Sequence, residues 1–151
     1  MAPSIYIPRL QRLGLFGLFL LSWLSGVAFF ALDRWVTVEG DFGPEKHPWQ
    51  FDVLKAHGAA AFLMMIVFGW LLSSHVGAGW RVRRMRPVGA ALVGMVAFQI
   101  VSAYFLYYLG SDVLRRWTSN IHAAVGFLVP AMLVAHLVQG RVRRKAQQIA
   151  P

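Results

Sequence analysis

The order of apolar and polar positions divides the chain into four long apolar segments joined by short polar connections. A hydrocarbon core about 30 Å thick needs roughly 20 apolar residues for one helical crossing. Each segment supplies about that number. The pattern predicts an all-α integral membrane protein, a single domain of residues 1–151 that forms a four-helix bundle. The predicted spans are residues 13–32, 53–78, 87–109 and 119–140.

Composition and charge agree with this class and indicate the topology. Charged residues make up 14% of the chain, against about 25% in an ordinary soluble domain. Ten of the 15 basic residues, and none of the six acids, flank the spans on one side. Cytoplasmic loops carry the Lys/Arg excess, so we expect both termini to be cytoplasmic, in a multi-pass protein of the bacterial cytoplasmic membrane. The ten residues are Arg9, Arg12, Arg81, Arg83, Arg84, Arg86, Arg141, Arg143, Arg144 and Lys145.

The net charge of +9 could suggest a nucleic-acid partner. Basic residues at the headgroup level need only anionic lipid as a partner, so the partner predicted by charge is membrane lipid and not nucleic acid. The chain has no cysteine. This excludes disulfides, iron–sulfur clusters and covalently attached c-type haem.

The two halves of the chain share an order of small, histidine and basic residues, which predicts two pseudo-repeated helix pairs. In membrane proteins such parallel repeats are related by an axis along the membrane normal. The first half carries Ser25, Gly26, His57, His75 and Arg81, and the second half carries Ser102, Ala103, His122, His136 and Arg141.

Four histidines lie in the second and fourth spans, where ionisable side chains are costly and mark functional candidates. His57 and His75 are 18 residues apart, which is about five turns of a regular α-helix and places both on one face. His122 and His136 are 14 residues apart, about 40° short of four turns. Both spans run from outside to inside. We therefore expect His57 at the same depth as His122, and His75 at the same depth as His136. The distance between the two histidines along the helix axis is about 6 Å longer in the second span than in the fourth, a difference that helix tilt or a kink at Pro130 would compensate.

Two imidazoles at each of two depths, with no third ligand, suit haem better than zinc. Zinc needs four ligands, or three and a water. Haem b iron is completed by two axial ligands, and facing helices of a bundle are a usual place for such a site. The histidines thus predict two non-covalent haem b groups with bis-His iron. The alternative for any single membrane histidine is a hydrogen bond between helices, and His47 fits an ordinary loop residue.

Basic residues near the span ends are candidates to hold the anionic haem propionates through charge-assisted hydrogen bonds. Arg81 and Arg141 follow the inner histidines by six and five residues, and Arg115 lies at the outer side with Lys55 and Arg116. The alternative for each is an interfacial charge that binds lipid. On the third span, a quinone would have four candidate contacts, namely Gln99, Tyr104, Tyr107 and Tyr108.

Short motifs recur around the four histidines and the basic residues that follow them. They are His57-Gly58, residues 68–75 (FGWLLSSH), Gly79-Trp80-Arg81, His122-Ala123-x-x-Gly126, His136 and Gly140-Arg141. With these motifs the chain resembles the four-helix dihaem b-type cytochromes, and it is similar to the cytochrome b561-like and flavinylation-associated membrane cytochromes. The resemblance implies electron transfer across the membrane between a quinone or a partner redox protein (a flavoprotein or cytochrome c) and an acceptor. It also implies that the chain can act as a subunit of a larger oxidoreductase.

The chain also departs from those families. The first span has no histidine, and the 18-residue spacing differs from the 14 residues common in cytochrome b helices. Two alternatives stay open: a stand-alone quinol-oxidising enzyme and a haem-free membrane scaffold or transporter. For a dihaem protein, the ten basic residues on the inner side predict a higher potential for the inner haem, because positive surroundings stabilise the reduced form. Electrons would then flow from outside to inside.

Overall fold

The computed structural model describes residues 7–81 and 87–149, and these are almost entirely helical. A short β-hairpin follows the first helix, and a π-helical turn at Leu72–Val76 separates α2 from α3. The helices are α1 (Arg9–Trp35), α2 (Trp49–Leu71), α3 (Gly77–Arg81), α4 (Pro87–Tyr108) and α5 (Asp112–Ile149), and the strands are β1 (Thr37–Gly40) and β2 (Gly43–Lys46).

Four helical stretches among the described residues are long and apolar enough to cross a membrane. The predicted all-α membrane class is confirmed, and the protein is a multi-pass membrane protein. Three stretches extend past the predicted spans, because a helix continues into polar residues after its apolar part ends. The stretches are Arg9–Trp35, Trp49–Gly79, Pro87–Tyr108 and Asp112–Val142.

The chain divides into two compact units, unit 1 (Met1–Arg84) and unit 2 (Met85–Pro151). In unit 1, α1 packs against α2, and in unit 2, α4 packs against α5. Each unit is therefore a helical hairpin. Its two helices are connected at the end that the charge pattern predicts to face outside, and "outer" and "inner" refer to this predicted orientation. These are the helix pairs expected from the sequence, whereas the repeat symmetry between them stays a prediction.

Small side chains account for most of the fully buried positions in the described part of the chain. Ala60 is 1% exposed, Ala78 2% and Ser102 3%, and Val129 is the larger buried side chain. Small residues let helix backbones approach closely in membranes, where apolar side chains gain little from leaving lipid. Ser102 is the one polar residue in this group, which gives its hydroxyl special interest.

The outer connection of unit 1 is a β-hairpin, where the sequence predicted only a polar loop. Thr37 pairs with Lys46, and Gly40 pairs with Gly43 across the turn. Gly43 has a φ of 115°, a backbone conformation that glycine adopts without a steric penalty. His47 lies in the link that follows, where its Nδ1 accepts from the backbone N–H of Trp49 at 3.2 Å. This fits its predicted role as a loop residue.

Asp33 ties this hairpin to both helices of unit 1. The Lys46 ammonium donates to the Asp33 backbone carbonyl at 2.6 Å and to its carboxylate at 3.0 Å. The Gln50 amide donates to the same carboxylate at 3.0 Å. The end of α1, the second strand and the start of α2 thus share one anchor.

A π-helical turn interrupts the second span and contains His75. The hydroxyls of Ser73 and Ser74 donate to the Trp70 carbonyl at 2.9 and 2.8 Å, and such local bonds compete with the regular helix ladder. One residue added to a turn changes the direction of later side chains by up to about 100°. The prediction from the sequence assumed a regular α-helix between His57 and His75. That assumption is wrong over the π-helical turn, so counting five turns does not show whether the two side chains share a face.

Candidate functional site

In unit 1, the ring of His57 on α2 lies against α1. Its Nδ1 is 2.9 Å from the Ser22 backbone carbonyl oxygen and 3.4 Å from the Ser25 hydroxyl. The Ser25 hydroxyl donates to the Leu21 carbonyl at 2.7 Å. A carbonyl oxygen can only accept, so the proton in the contact with Ser22 belongs to Nδ1. The geometry thus assigns the Nδ1–H form of the His57 imidazole.

Gly26 makes room for this ring. A Cβ atom built on Gly26 would lie 2.9 Å from His57 Cε1 and 3.1 Å from its Nδ1, closer than side-chain atoms normally approach. The same construction at Gly14 or Gly17, on the same helix, meets nothing within 4 Å. A side chain larger than glycine at position 26 would therefore displace the His57 ring, whereas positions 14 and 17 have open space.

In unit 2, His122 on α5 makes the corresponding contact with a side chain of α4. Its Nδ1 is 2.8 Å from the Ser102 hydroxyl oxygen. That hydroxyl is also 2.7 Å from the Phe98 backbone carbonyl, to which it must donate its single proton, because the carbonyl can only accept. The Ser102 oxygen can then only accept from His122, so the proton of that hydrogen bond is on Nδ1. The same Nδ1–H form is assigned to both outer histidines.

Gln99 holds the backbone of α5 close to His122. Its amide nitrogen donates to the His122 carbonyl at 3.1 Å, and a Cβ atom at Gly126 would lie 2.7 Å from that nitrogen. The rings of Tyr104 and Tyr108 are tilted by 38° with centroids 4.6 Å apart, and both are exposed. Gln99 thus turns to α5, and the quinone contacts considered from the sequence stay a prediction.

The two histidines predicted to lie on the inner side, His75 and His136, are half-buried. His136 lies against the first part of α4, where a Cβ atom on Gly89 would be 3.3 Å from its Cε1 and 3.4 Å from its Nδ1. Gly94 on the same helix has open space around its Cβ position. His75 lies within the π-helical turn of unit 1. Close approach to glycine thus occurs at one outer and one inner histidine.

Two of the three basic residues proposed near the outer side, Lys55 and Arg115, have local partners. Arg115 lies in the first turns of α5 rather than in a connection, and its guanidinium donates to the Leu109 carbonyl at 3.2 and 2.6 Å. This satisfies a carbonyl at the end of α4 that the helix leaves unpaired. Lys55 lies on α2 and pairs with Asp52 at 2.7 Å.

The two inner arginines differ in what the structure shows. Arg141 is exposed on α5, near the end of the last membrane stretch. Arg81 ends α3, and its side chain lies outside the described residues. Their proposed contact with propionates stays a prediction. Within residues 7–81 and 87–149, no group of three or more His, Cys, Asp or Glu side chains is placed to hold a metal ion.

Comparison with known proteins gives no relative: no protein-family model, curated protein or solved structure matches the chain. The chemistry of the histidines therefore carries the functional assignment. Each outer imidazole is anchored through Nδ1 to the first helix of its own unit. In the neutral Nδ1–H form of an imidazole, Nε2 carries the lone pair that binds a metal ion.

Proposed function

We propose that the protein is a membrane-embedded dihaem cytochrome of b type. It would carry electrons across the membrane between a quinone or redox partner protein and an acceptor, alone or as the membrane subunit of a larger oxidoreductase. The supporting observation is the shared Nδ1–H anchoring of His57 and His122. Metal-ligating histidines usually donate their other ring N–H to a carbonyl or a similar acceptor, which fixes the ring for metal binding.

The proposed ligands are His57 with His122 for the outer haem and His75 with His136 for the inner haem. The pairing follows from the order of the spans, because the second and fourth run in the same direction. When bound, each haem would supply a reversible one-electron iron couple. The chain itself orients the imidazoles, and Gly26 leaves the space that one of these rings needs.

Three arginines are proposed for the propionates, and the observations support them unequally. Arg141 is exposed near a membrane boundary, where a charge-assisted hydrogen bond to a carboxylate is favourable. Arg81 occupies the comparable position six residues after His75. Arg115 is the weakest candidate, since its guanidinium is already bonded to the Leu109 carbonyl.

The charge distribution supports the placement of this cytochrome in a bacterial cytoplasmic membrane with both termini inside. Ten basic residues and no acids flank the spans on the proposed inner side. The lipid-facing helices also suit membrane lipid as the general partner. A specific redox partner would meet the protein at the ends of the spans, where the haem edges would be nearest the surface.

Single substitutions of the four histidines test the proposal. We expect the native chain to bind two haems, and each of His57→Ala, His75→Ala, His122→Ala and His136→Ala to retain one. His57→Ala and His122→Ala should lose the same haem, because removal of either axial ligand leaves that iron incomplete. His47→Ala is the matched control and should retain both. If His57→Ala and His136→Ala removed the same haem, the proposed pairing would be wrong.

The same variants test the direction of electron flow. Redox titration of His57→Ala reports the inner haem alone, and titration of His75→Ala reports the outer haem alone. We expect the higher potential for the inner haem, because ten basic residues flank the inner side while all six acids accompany the outer connections. A higher potential for the outer haem would contradict flow from outside to inside and would leave the dihaem assignment intact.

A further inference from the structure

The two outer histidines donate to acceptors of different kinds. His57 donates to a backbone carbonyl, that of Ser22, whereas His122 donates to the side-chain hydroxyl of Ser102. We propose that Ser102 is a positioning residue that fixes the Nδ1–H form of His122 and thereby lowers the redox potential of the haem bound to it. This inference rests on the proposed dihaem function. Ser25, which contacts His57 in unit 1, is not the principal acceptor of that histidine and does not have this role.

The bonds of Ser102 leave little freedom for its hydroxyl. Its oxygen lies 2.7 Å from the Phe98 carbonyl and 3.2 Å from the Gln99 carbonyl on its own helix, and 2.8 Å from His122 Nδ1. The side chain is only 3% exposed, so bulk water does not compete for these contacts. With its proton directed to its own helix, the oxygen acts as a fixed acceptor for the imidazole.

Ser25 makes the same bonds to its own helix but not the same bond to histidine. Its oxygen lies 2.7 Å from the Leu21 carbonyl and 3.1 Å from the Ser22 carbonyl. Its distance to His57 Nδ1 is 3.4 Å, against 2.9 Å for the Ser22 carbonyl. The backbone is therefore the principal acceptor in unit 1, and no side-chain substitution at position 22 or 25 removes it.

The direction of the effect follows from ligand basicity. A hydrogen bond from Nδ1–H moves electron density toward Nε2 and makes the imidazole a more basic ligand. A more basic axial ligand stabilises oxidised iron over reduced iron. Loss of the Ser102 acceptor should therefore raise the potential of the haem that His122 binds. It should also allow His122 to exchange its proton between the two ring nitrogens.

The first test reads the proton position without haem. Imidazole ¹⁵N chemical shifts would be measured on the full haem-free chain in lipid nanodiscs, for native protein, Ser102→Ala, Ser25→Ala and Ser22→Ala. We expect Nδ1–H forms at His57 and His122 in the native chain. Ser102→Ala should change the nitrogen shifts of His122 alone, and the other two variants should leave His57 in its native form. An unchanged Nδ1–H form of His122 in Ser102→Ala would overturn the proposal.

The second test measures potential on the haem-loaded chain. The His75→Ala background would retain only the outer haem, so its midpoint potential is read without overlap. Adding Ser102→Ala should raise that potential, adding Ser25→Ala should change it less, and Ser102→Thr should return it toward the starting value by restoring a hydroxyl. Retention of low-spin haem in all variants would exclude simple loss of a ligand as the cause.

The outcomes separate this proposal from the proposed function. Two haems per native chain with no shift in Ser102→Ala, or with equal shifts in Ser102→Ala and Ser25→Ala, would overturn the role of Ser102 and leave the cytochrome assignment standing. A native chain that binds no haem would overturn the cytochrome assignment and the effect on potential. The ¹⁵N measurement would still decide whether Ser102 fixes the form of His122.

Discussion

Units 1 and 2 hold a histidine in the same way with different chemical groups. Both are helical hairpins in which the outer histidine of the second helix donates from Nδ1 to the first helix. Unit 1 uses the Ser22 backbone carbonyl and the space left by Gly26, whereas unit 2 uses the buried hydroxyl of Ser102. Two helical hairpins can thus make the same hydrogen bond from a histidine with different accepting groups.

The outer connections of the two units differ even more. Unit 1 has a β-hairpin fastened at Asp33, while in unit 2 only residues 109–111 separate α4 from α5. There, Arg115 binds the Leu109 carbonyl at the end of α4. The histidine contacts and the connections are therefore separate features of each unit, and substitutions can test them independently.

Among substitutions that keep all four histidines, the largest effect is expected for Gly26→Ala in unit 1. The added methyl group would lie 2.9 Å from His57 Cε1, so the ring must move away from the Ser22 carbonyl. We expect the affinity for the outer haem to fall by about 10–100-fold, the range typical when a metal-binding histidine loses its hydrogen-bond partner. Haem content after purification and the affinity for added haem would measure this.

Gly17→Ala is the matched control on the same helix, because its Cβ position is open. Alanine is favoured over glycine in a helix by about 1 kcal/mol, so this variant should keep both haems and a stable fold. Equal loss of haem in Gly17→Ala and Gly26→Ala would show that the contact with His57 does not explain the effect.

A smaller effect is expected for Gly89→Ala in unit 2. The methyl group would meet His136 Cε1 at 3.3 Å, a tight contact that a movement of a few tenths of an ångström relieves. The inner haem should therefore be retained with less than about tenfold weakening, measured as for Gly26→Ala. Gly94→Ala, which meets nothing within 4 Å, should match the native chain. Loss of the outer haem instead of the inner one would contradict the predicted levels.

The smallest effect is expected at the connections. Asp33→Ala removes the acceptor shared by Lys46 and Gln50 and should lower the free energy of unfolding by about 1 kcal/mol, because the group is partly exposed. Arg115→Ala should cost no more, and the exposed Asp41→Ala should be neutral. Unfolding in mixed detergent micelles would measure all three. If Asp33→Ala lost haem, the connection between the helices and the histidine contact would not be independent features of unit 1.

The apolar pattern predicted the number and approximate position of the membrane helices because lipid imposes a minimum length on each. It did not predict the helix ends, since α5 begins at Asp112 and includes Arg115 and Arg116, whereas the predicted span begins at residue 119. The β-hairpin was missed although Gly40 and Gly43 bracket its turn. Two short strands without a long alternating pattern give little signal beside four membrane spans.

The histidines were found from the sequence, but their anchors were not. Ser25, Gly26 and Ser102 were noted only as small residues, because spacing alone does not fix how a helix is rotated against its neighbour. The π-helical turn was also missed, although Ser73 and Ser74 are residues whose hydroxyls compete for backbone carbonyls. The packing of the helices decides which serines bind their own helix alone and which also contact a histidine.

The most direct test of the dihaem assignment is a pyridine haemochrome determination on the purified native chain, combined with its oxidised and reduced absorption spectra. Pairs of histidines at two depths predict two b-type haems per chain, both low-spin and six-coordinate, because imidazole would occupy both axial positions of each iron. A chain purified from haem-sufficient cells that contains no haem, or haem in a high-spin five-coordinate form, would contradict the assignment.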